Sequence, residues 1–569
     1  MPPSSSKWQP HLPDECWESV FKHLNPHDLE SISLVSCNFL SLSNRIRTHL
    51  TISRYNLPHL PALLRRFTSL TSIKLTHFFA GDIDALLSQI ASFDLPSLHS
   101  LDISYQRPFF PSHGLRQFSK KFPTLKSLNC SVTNPDFLLI VECFPNLEEI
   151  DVSFTSVFPD TDLHVKALAS GLKKLRKADI SGTSIIRDSS VFAFCQNCVF
   201  LEAIVVRETE SISNIGIANA IRQRPQLRSL TVGWSNVTLE FIDALVSLKC
   251  LTCLDLSYAR ISDEALCALA EGGLPLRELS LGDSSGYQYT GISCLLRKCN
   301  NLQFLDLQAT QFLNDECVIE LSLLLGNLNV VNLSQNRNLT YLSLFAIMRN
   351  CPLITEIRMD ITGVGKQKME EDCLVVNSHL KFLYLACNSG LDDASVTMLA
   401  SVCPNLEMMD LNHCPWVSMG AIEVLRRCHK IQRMDLALLG YYSSWSKFQV
   451  NIEVPTLFVL NLLGSGISDH ELSLISKSCY NLKELNLDNC DKITANGVKQ
   501  VVKNCKQLRM LSLYFREKLS SDIVAWMVLA RPSLREIRIP GFHGHTPSKR
   551  DGGCFIDVVP KSHGNIPWS

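Results

Sequence analysis

Apolar residues recur along most of the chain in the spacing L-x-x-L-x-L, with other apolar side chains substituting for leucine. Clear copies are Leu251/Leu254/Leu256, Leu302/Leu305/Leu307, Leu380/Leu383/Leu385, Leu482/Leu485/Leu487 and Leu508/Leu511/Leu513. Taking the first apolar residue of each copy as an anchor gives nineteen, at 70, 98, 125, 147, 175, 201, 227, 251, 276, 302, 328, 354, 380, 406, 431, 457, 482, 508 and 534. Their mean period is about 26 residues. The L-x-L alternation predicts a short strand with one face buried, because successive side chains of a strand point to opposite sides. Segment 261–270, ISDEALCALA, places a Ser/Asp cap before apolar residues at helical spacing, and 467–475 repeats the device. Each rung therefore reads as strand, turn and helix. No rung buries its apolar face alone, so the expected fold is an α/β solenoid, a curved parallel sheet inside and helices outside. Two rungs break the pattern. Segment 360–379 is charged and lacks a clear helix, and 437–455 carries Gly440, Tyr441, Tyr442, Trp445 and Phe448 without helical periodicity. Each is either a degenerate rung packed as coil or a loop overhanging a binding surface.

The 22 cysteines sharpen this reading. Cys198, Cys299, Cys351, Cys403, Cys428, Cys479 and Cys505 all lie three residues before an anchor, while Cys414 and Cys490 lie eight after theirs. One repeated environment at the core-facing end of the return helix suits a small thiol without strong hydrogen-bonding needs. The register resembles the cysteine-containing subclass of leucine-rich repeats. Cys195/Cys198 and Cys250/Cys253 have the C-x-x-C spacing of a zinc site, but they fall at different points of separate rungs, where four thiolates do not readily converge.

Before the first anchor the pattern changes. Residues 12–42, LPDECWESVFKHLNPHDLESISLVSCNFLSL, predict a helical hairpin. Asp14 is positioned to cap a first helix carrying Trp17, Val20, Phe21 and Leu24 on one face; Asn25 and Pro26 break it. Asp28 starts a second helix with Leu29, Ile32 and Val35, and a third apolar set follows at Phe39, Leu40 and Leu42. The expected domains are a helical module over 8–52, a solenoid of about 19 repeats over 53–540, and a tail or cap over 541–569.

The opening Leu12-Pro13-Asp14-Glu15, Leu24 before a turn, Asp28-Leu29 and Leu34-Val35-Ser36-Cys37-Asn38-Phe39 resemble an F-box over about forty residues. The sequence departs from that family at Phe39, where many members have Trp, and in the scarcity of basic residues around 36–38. The resemblance, joined to leucine-rich repeats in the long-solenoid form found in plants, implies the substrate receptor of a Skp-cullin-F-box ubiquitin ligase. Its expected partners are a Skp-type adaptor, through it a cullin, and a protein substrate. Leu12, Pro13, Trp17, Leu24, Leu29, Leu34, Val35 and Phe39 are the candidates for contacting the adaptor or shaping that surface. One alternative is a leucine-rich scaffold whose N-terminal helices only cap the array. Another is a small-molecule-sensing F-box receptor of the auxin or jasmonate type, which holds an inositol phosphate; Lys74, Arg207, Arg358, Arg433 and Arg538 are its candidate ligands, spread among acidic neighbours.

On the strand face turned from the core, the residues four after an anchor are often acidic: Asp102, Asp151, Asp179, Asp255, Asp306, Asp410 and Asp435. They are either an acidic trough or the usual repeat residue, and the second reading is preferred. Large side chains there fit the repeat less well, and Trp234, Tyr258, Phe304, Phe382, Tyr384, His413 and Arg433 are candidate substrate contacts, with Tyr441, Tyr442 and Trp445 from the second irregular rung. Tyr105, Phe154, Tyr514 and Phe515 are of the same kind.

Charge and motifs add exclusions. With 54 basic and 55 acidic residues nothing points to nucleic acid, and Lys173, Lys174, Arg176 and Lys177 read as a solvated turn. No apolar stretch has the length of a membrane span, and the N-terminus lacks a signal-like apolar core, so a soluble protein of the cytoplasm and/or nucleus is expected. No catalytic motif is present, so the expected role is non-catalytic, with no cofactor.

Overall fold

The computed structural model describes residues 12–24, 29, 32–53, 56–76, 78, 82–104, 110–131, 135–155, 161–182, 186–209, 211–233, 236–367, 375–439, 453–514, 521–531, 533–540 and 555–559. The chain divides into two compact units, Met1–Leu251 and Thr252–Ser569.

The first unit opens with helices Asp14–Phe21 and Cys37–Arg45, followed by eight strands: β1 (His49–Ser53), β2 (Ser72–Thr76), β3 (Ser100–Asp102), β4 (Ser127–Asn129), β5 (Glu149–Asp151), β6 (Lys177–Asp179), β7 (Ala203–Val206) and β8 (Ser229–Val232). Each pairs in parallel with the next, and a helix returns the chain between strands. The sheet starts one strand before the first anchor. In β1 only Leu50 and Ile52 alternate, and that pair is too short to register as a repeat.

The second unit continues the same plan with β9 (Cys253–Asp255), β10 (Glu278–Ser280), β11 (Phe304–Asp306), β12 (Val330–Asn332), β13 (Glu356–Arg358), β14 (Phe382–Tyr384), β15 (Met408–Asp410), β16 (Arg433–Asp435), β17 (Val459–Asn461), β18 (Glu484–Asn486), β19 (Met510–Ser512), β20 (Glu536–Pro540) and β21 (Phe555–Val559), all parallel. Each of the nineteen anchors precedes a strand, β2 to β20, by two residues. The segment expected as tail or cap contributes β21 against β20. The first irregular rung has no helix among its described residues. There Asn377, buried, sends its Nδ2 to the Met348 carbonyl at 3.1 Å and accepts the N–H groups of His379 and Leu380, both at 2.9 Å. One amide thus satisfies backbone groups that a helix end would otherwise serve.

Rungs are tied together by polar side chains at fixed positions. The aspartate that opens a return helix caps the next rung's helix. Asp315 accepts from Thr340 N and Oγ1 at 2.8 and 2.6 Å and from Ser343 N at 3.2 Å, and Asp393 accepts from Ser418 N and Gly420 N, both at 2.7 Å. Glycine at the receiving position permits the approach: a Cβ on Gly420 would lie 2.9 Å from the Asp393 Cα. The register cysteines cap helix ends; Cys198, Cys351, Cys403, Cys428, Cys479 and Cys505 each follow the last helical residue. Their thiols are not passive fillers. Cys428 Sγ lies 3.4 Å from the Cys403 carbonyl and Cys198 Sγ 3.5 Å from that of Ala169, both on the preceding rung. Cys414 and Cys490 share a third position with Asn336 and Asn388, each reaching a carbonyl one rung back.

Candidate functional site

The F-box-like module is held by an aromatic cluster. Trp17 and Phe39 rings lie 4.9 Å apart, Phe21 and Phe39 5.2 Å, the last pair edge to face. Phe39 therefore fills the interior contact, with Phe21 and Leu42 buried beside it. Ser36 starts the second described helix by accepting the Phe39 N–H at 3.1 Å. Asp14 does not cap the first helix as expected. Pro13 occupies the cap position, and Asp14 instead accepts from Arg45 at 3.2 Å while Glu18 meets the same guanidinium at 2.7 Å, clamping the two helices.

This packing sorts the eight adaptor candidates. Trp17, Leu24, Leu29 and Phe39 are half-buried and shape the module. Leu12, Leu34 and Val35 are 50%, 79% and 68% exposed, and Pro13 is exposed beside Leu12. Val20, expected on the inner face, is instead 48% exposed, because Phe21 takes the inward position against Phe39. Apolar side chains held in water on a small helical module are the chemistry of a docking surface.

The strand faces turned from the core carry the second candidate region. The first and third residues of each three-residue strand straddle a buried middle residue, so Phe382 and Tyr384 flank Leu383 on one face. Parallel register sets Phe382 beside Met408 and Met408 beside Arg433, all within the second unit. Arg358 lies 4.7 Å from the Tyr384 ring centre and 2.6 Å from Glu356. Phe304, on β11, neighbours Val330. Phe382, Tyr384, Arg433 and Met408 therefore come together, and Phe304 stands apart from them. Trp234, Tyr441, Tyr442 and Trp445 lie outside the described residues, as do Tyr105 and Phe515.

Tyr258 and His413 have a different explanation. Both are exposed, and both sit seven residues after an anchor, in the left-handed region, at φ 64° and 56°. Phe154, Glu208, Asp283, Ala309, Gln335, Ile361, Cys387, Leu438 and Asn489 share that position and conformation, with Gly182 and Gly464 in two rungs. There the N–H reaches the next rung: Tyr258 donates to Gly282 O and His413 to Ala437 O, each at 2.8 Å. Backbone geometry therefore fixes this turn whichever side chain stands there. His413 follows the end of β15 by three residues whereas Arg433 opens β16, so the two do not share a strand position.

The acidic row is a turn device. Asp102, Asp151, Asp255 and Asp306 each accept the N–H two residues on at 2.9 Å, Asp410 at 2.8 Å, and Asn332 and Asn461 do the same at 3.1 Å. Burial raises the carboxyls of Asp179, Asp306, Asp360, Asp435 and Asp488. Asp410 is pushed up to about 7, first by burial and then by Asp435. Asp410 is thus the aspartate of this face that carries only part of its charge near neutrality. Of the five basic candidates for a phosphate ligand, Lys74 pairs with Asp102 at 3.2 Å, Arg358 with Glu356 and Arg538 with Glu536 at 2.5 Å. In the basic turn, Arg176 pairs with Glu202 at 2.6 Å. Among the described residues no His, Cys, Asp and Glu cluster is arranged to hold a metal ion, and no helix is long and apolar enough to cross a membrane.

Trp416 lies outside the positions that the repeat pattern singles out. It is half-exposed in the turn after β15 and lines a hollow with Gly365, Lys366 and Gly390, beside the rung that lacks a helix. Its only sequence signal is an aromatic outside the strand positions.

Residues 10–51 match the F-box domain family, and residues 247–270 and 478–501 match a leucine-rich repeat family. GRR1-like protein 1 of Arabidopsis thaliana is 23% identical over 388 residues, covering 57% of this chain and 59% of that protein. F-box/LRR-repeat protein 4 of Bos taurus is 25% identical over 283 residues, covering 45% and 43%. A transport inhibitor response 1-like protein of Oryza sativa subsp. japonica is 24% identical over 348 residues, covering 53% and 61%. The chain thus spans less than two thirds of the length of these relatives.

Proposed function

We propose that this chain, an F-box/LRR-repeat protein by its two matched domain types, is the substrate-recognition subunit of a Skp-cullin-F-box ubiquitin ligase. The observation that carries the proposal is the exposure of Leu12, Leu34 and Val35 on the F-box module, ahead of a long repeat array. A Skp-type adaptor covers those side chains and joins the module to a cullin. The strand face around Phe382, Tyr384, Met408 and Arg433 then binds the substrate protein through apolar contacts framed by charge. The chain supplies no catalytic group. It raises the effective concentration of a substrate lysine near the charged conjugating enzyme, in the cytoplasm or nucleus.

Proximity labelling in proteasome-inhibited cells tests the substrate half of this reading. Proteins labelled by both the intact chain and a Leu34→Asp/Val35→Asp variant, but ubiquitinated only with the intact chain, are the expected result. Equal ubiquitination with both chains would contradict it.

A further inference from the structure

Cys267 and Cys294 stand outside both registers that the repeat assigns to cysteine, lying neither three residues before an anchor nor eight after one. Neither is buried, unlike the register thiols Cys403 and Cys479. They occupy neighbouring helices, Asp263–Glu271 and Tyr289–Leu296. Both helices return the chain between parallel strands, so they run the same way, and they touch where they start. Asp263 Oδ1 accepts the N–H of Gln288 at 2.7 Å and that of Gly291 at 3.1 Å. A Cβ on Gly291 would lie 2.8 Å from the Asp263 Cα, so the absence of a side chain on Gly291 lets the two helices approach closely there. One turn further, four residues beyond Asp263 and three beyond Gly291, come Cys267 and Cys294. The two thiols are near enough for Cys294 to shift the ionisation of Cys267, and both are partly open to solvent.

We propose that Cys267 and Cys294 form a reversible disulfide between neighbouring rungs on exposure to a hydroperoxide, which makes this helix pair an oxidant-responsive modification site. The thiolate of Cys294 attacks the peroxide oxygen; an S–O bond forms, the O–O bond breaks, and the departing oxygen takes a proton to leave as water or an alcohol. The Cys267 sulfur then displaces the hydroxyl of the sulfenic acid. The S–S bond forms, the S–O bond breaks, and the Cys267 proton leaves with the hydroxyl as water. The sulfurs lose two electrons and one peroxide gains them. A dithiol reverses the step by exchange. The Cys294 thiol, ahead of burial, pushes the Cys267 thiol up to about 11, so Cys267 is not the sulfur that attacks the peroxide first. Adjacency on packed helices makes that second step intramolecular and fast. The buried register thiols have no such access.

The test uses the full reduced chain, treated with hydrogen peroxide, alkylated and digested with trypsin. Cleavage after Arg260, Arg277 and Arg297 leaves Cys267 and Cys294 as the single cysteines of peptides 261–277 and 278–297. The expected product is these two peptides linked, two hydrogens lighter than their sum and separated by dithiothreitol. In Cys267→Ser the link is lost and Cys294 is trapped as a sulfenic acid by dimedone, with an unchanged circular dichroism spectrum before oxidation. Recovery of both wild-type peptides fully alkylated, while exposed Cys250 is oxidised, would overturn the proposal. So would sulfinic acid at either position without the link.

Discussion

At the scale of single residues, repeat position outweighs chemical identity. Asp410 and Asn461 both accept the N–H two residues on, one as a carboxylate and the other as an amide. Burial makes the carboxylate the worse choice. The folded-state value of Asp410, about 7, lies above the ordinary aspartate value, so the folded chain holds a proton that the unfolded chain releases. Stability therefore falls as pH rises from about 4 through 7. Asp410→Asn keeps the acceptor and removes the charge. Its unfolding midpoint should exceed wild type at pH 8, by on the order of 1 kcal/mol or more, and the gap should close toward pH 5. A constant difference across that range would refute the assignment. The left-handed turn position gives a second prediction. Tyr258→Gly relieves an unfavourable backbone angle worth about 1–2 kcal/mol, so thermal melting should not fall. Gly182→Ala should lower it by about 1–3 kcal/mol, since its Cβ would sit 2.3 Å from the Phe154 ring. The sequence displayed the period of these positions but not their dihedrals, which is why Tyr258 and His413 resembled recognition residues.

At the scale of elements, strands were legible and their fastenings were not. An L-x-L pattern reports which side chains are buried, and every anchor leads into a strand. It carries no information about a carboxylate reaching into the next rung, because that contact spans 25 or more residues, as between Asp315 and Thr340. The F-box helices show the same limit. Apolar spacing placed Val20 inward, yet the Trp17–Phe21–Phe39 cluster decides the helix's rotation. Asp315→Ala removes the acceptor for Thr340 and Ser343 and should cost about 2 kcal/mol. Because repeat units stabilise mainly their neighbours, amide exchange should accelerate in helix Tyr341–Asn350 and stay unchanged in helix Ala495–Asn504. Uniform acceleration throughout the second unit would show that the caps act cooperatively rather than rung by rung.

At the scale of the molecule, the proposed function divides the work between two regions. A small module with exposed apolar side chains suits one constant partner, and a long array with varied strand-face residues suits a variable one. The module was legible as a motif, since Leu12, Pro13, Leu34 and Val35 stand in their expected order. The neighbourhood of the proposed substrate face was legible only where strands impose register, as at Phe382 and Arg433. Its irregular rung at 437–455 lies largely outside the described residues. In the proposed function the module captures an adaptor through Leu34 and Val35. Its most direct test is size-exclusion chromatography with mass determination of the full chain co-expressed with a Skp-type adaptor. A stable one-to-one complex is predicted for the wild type, and for Leu34→Asp/Val35→Asp a folded chain eluting alone at its own mass of 63.8 kDa. Adaptor bound equally by both, or by neither, would contradict the account.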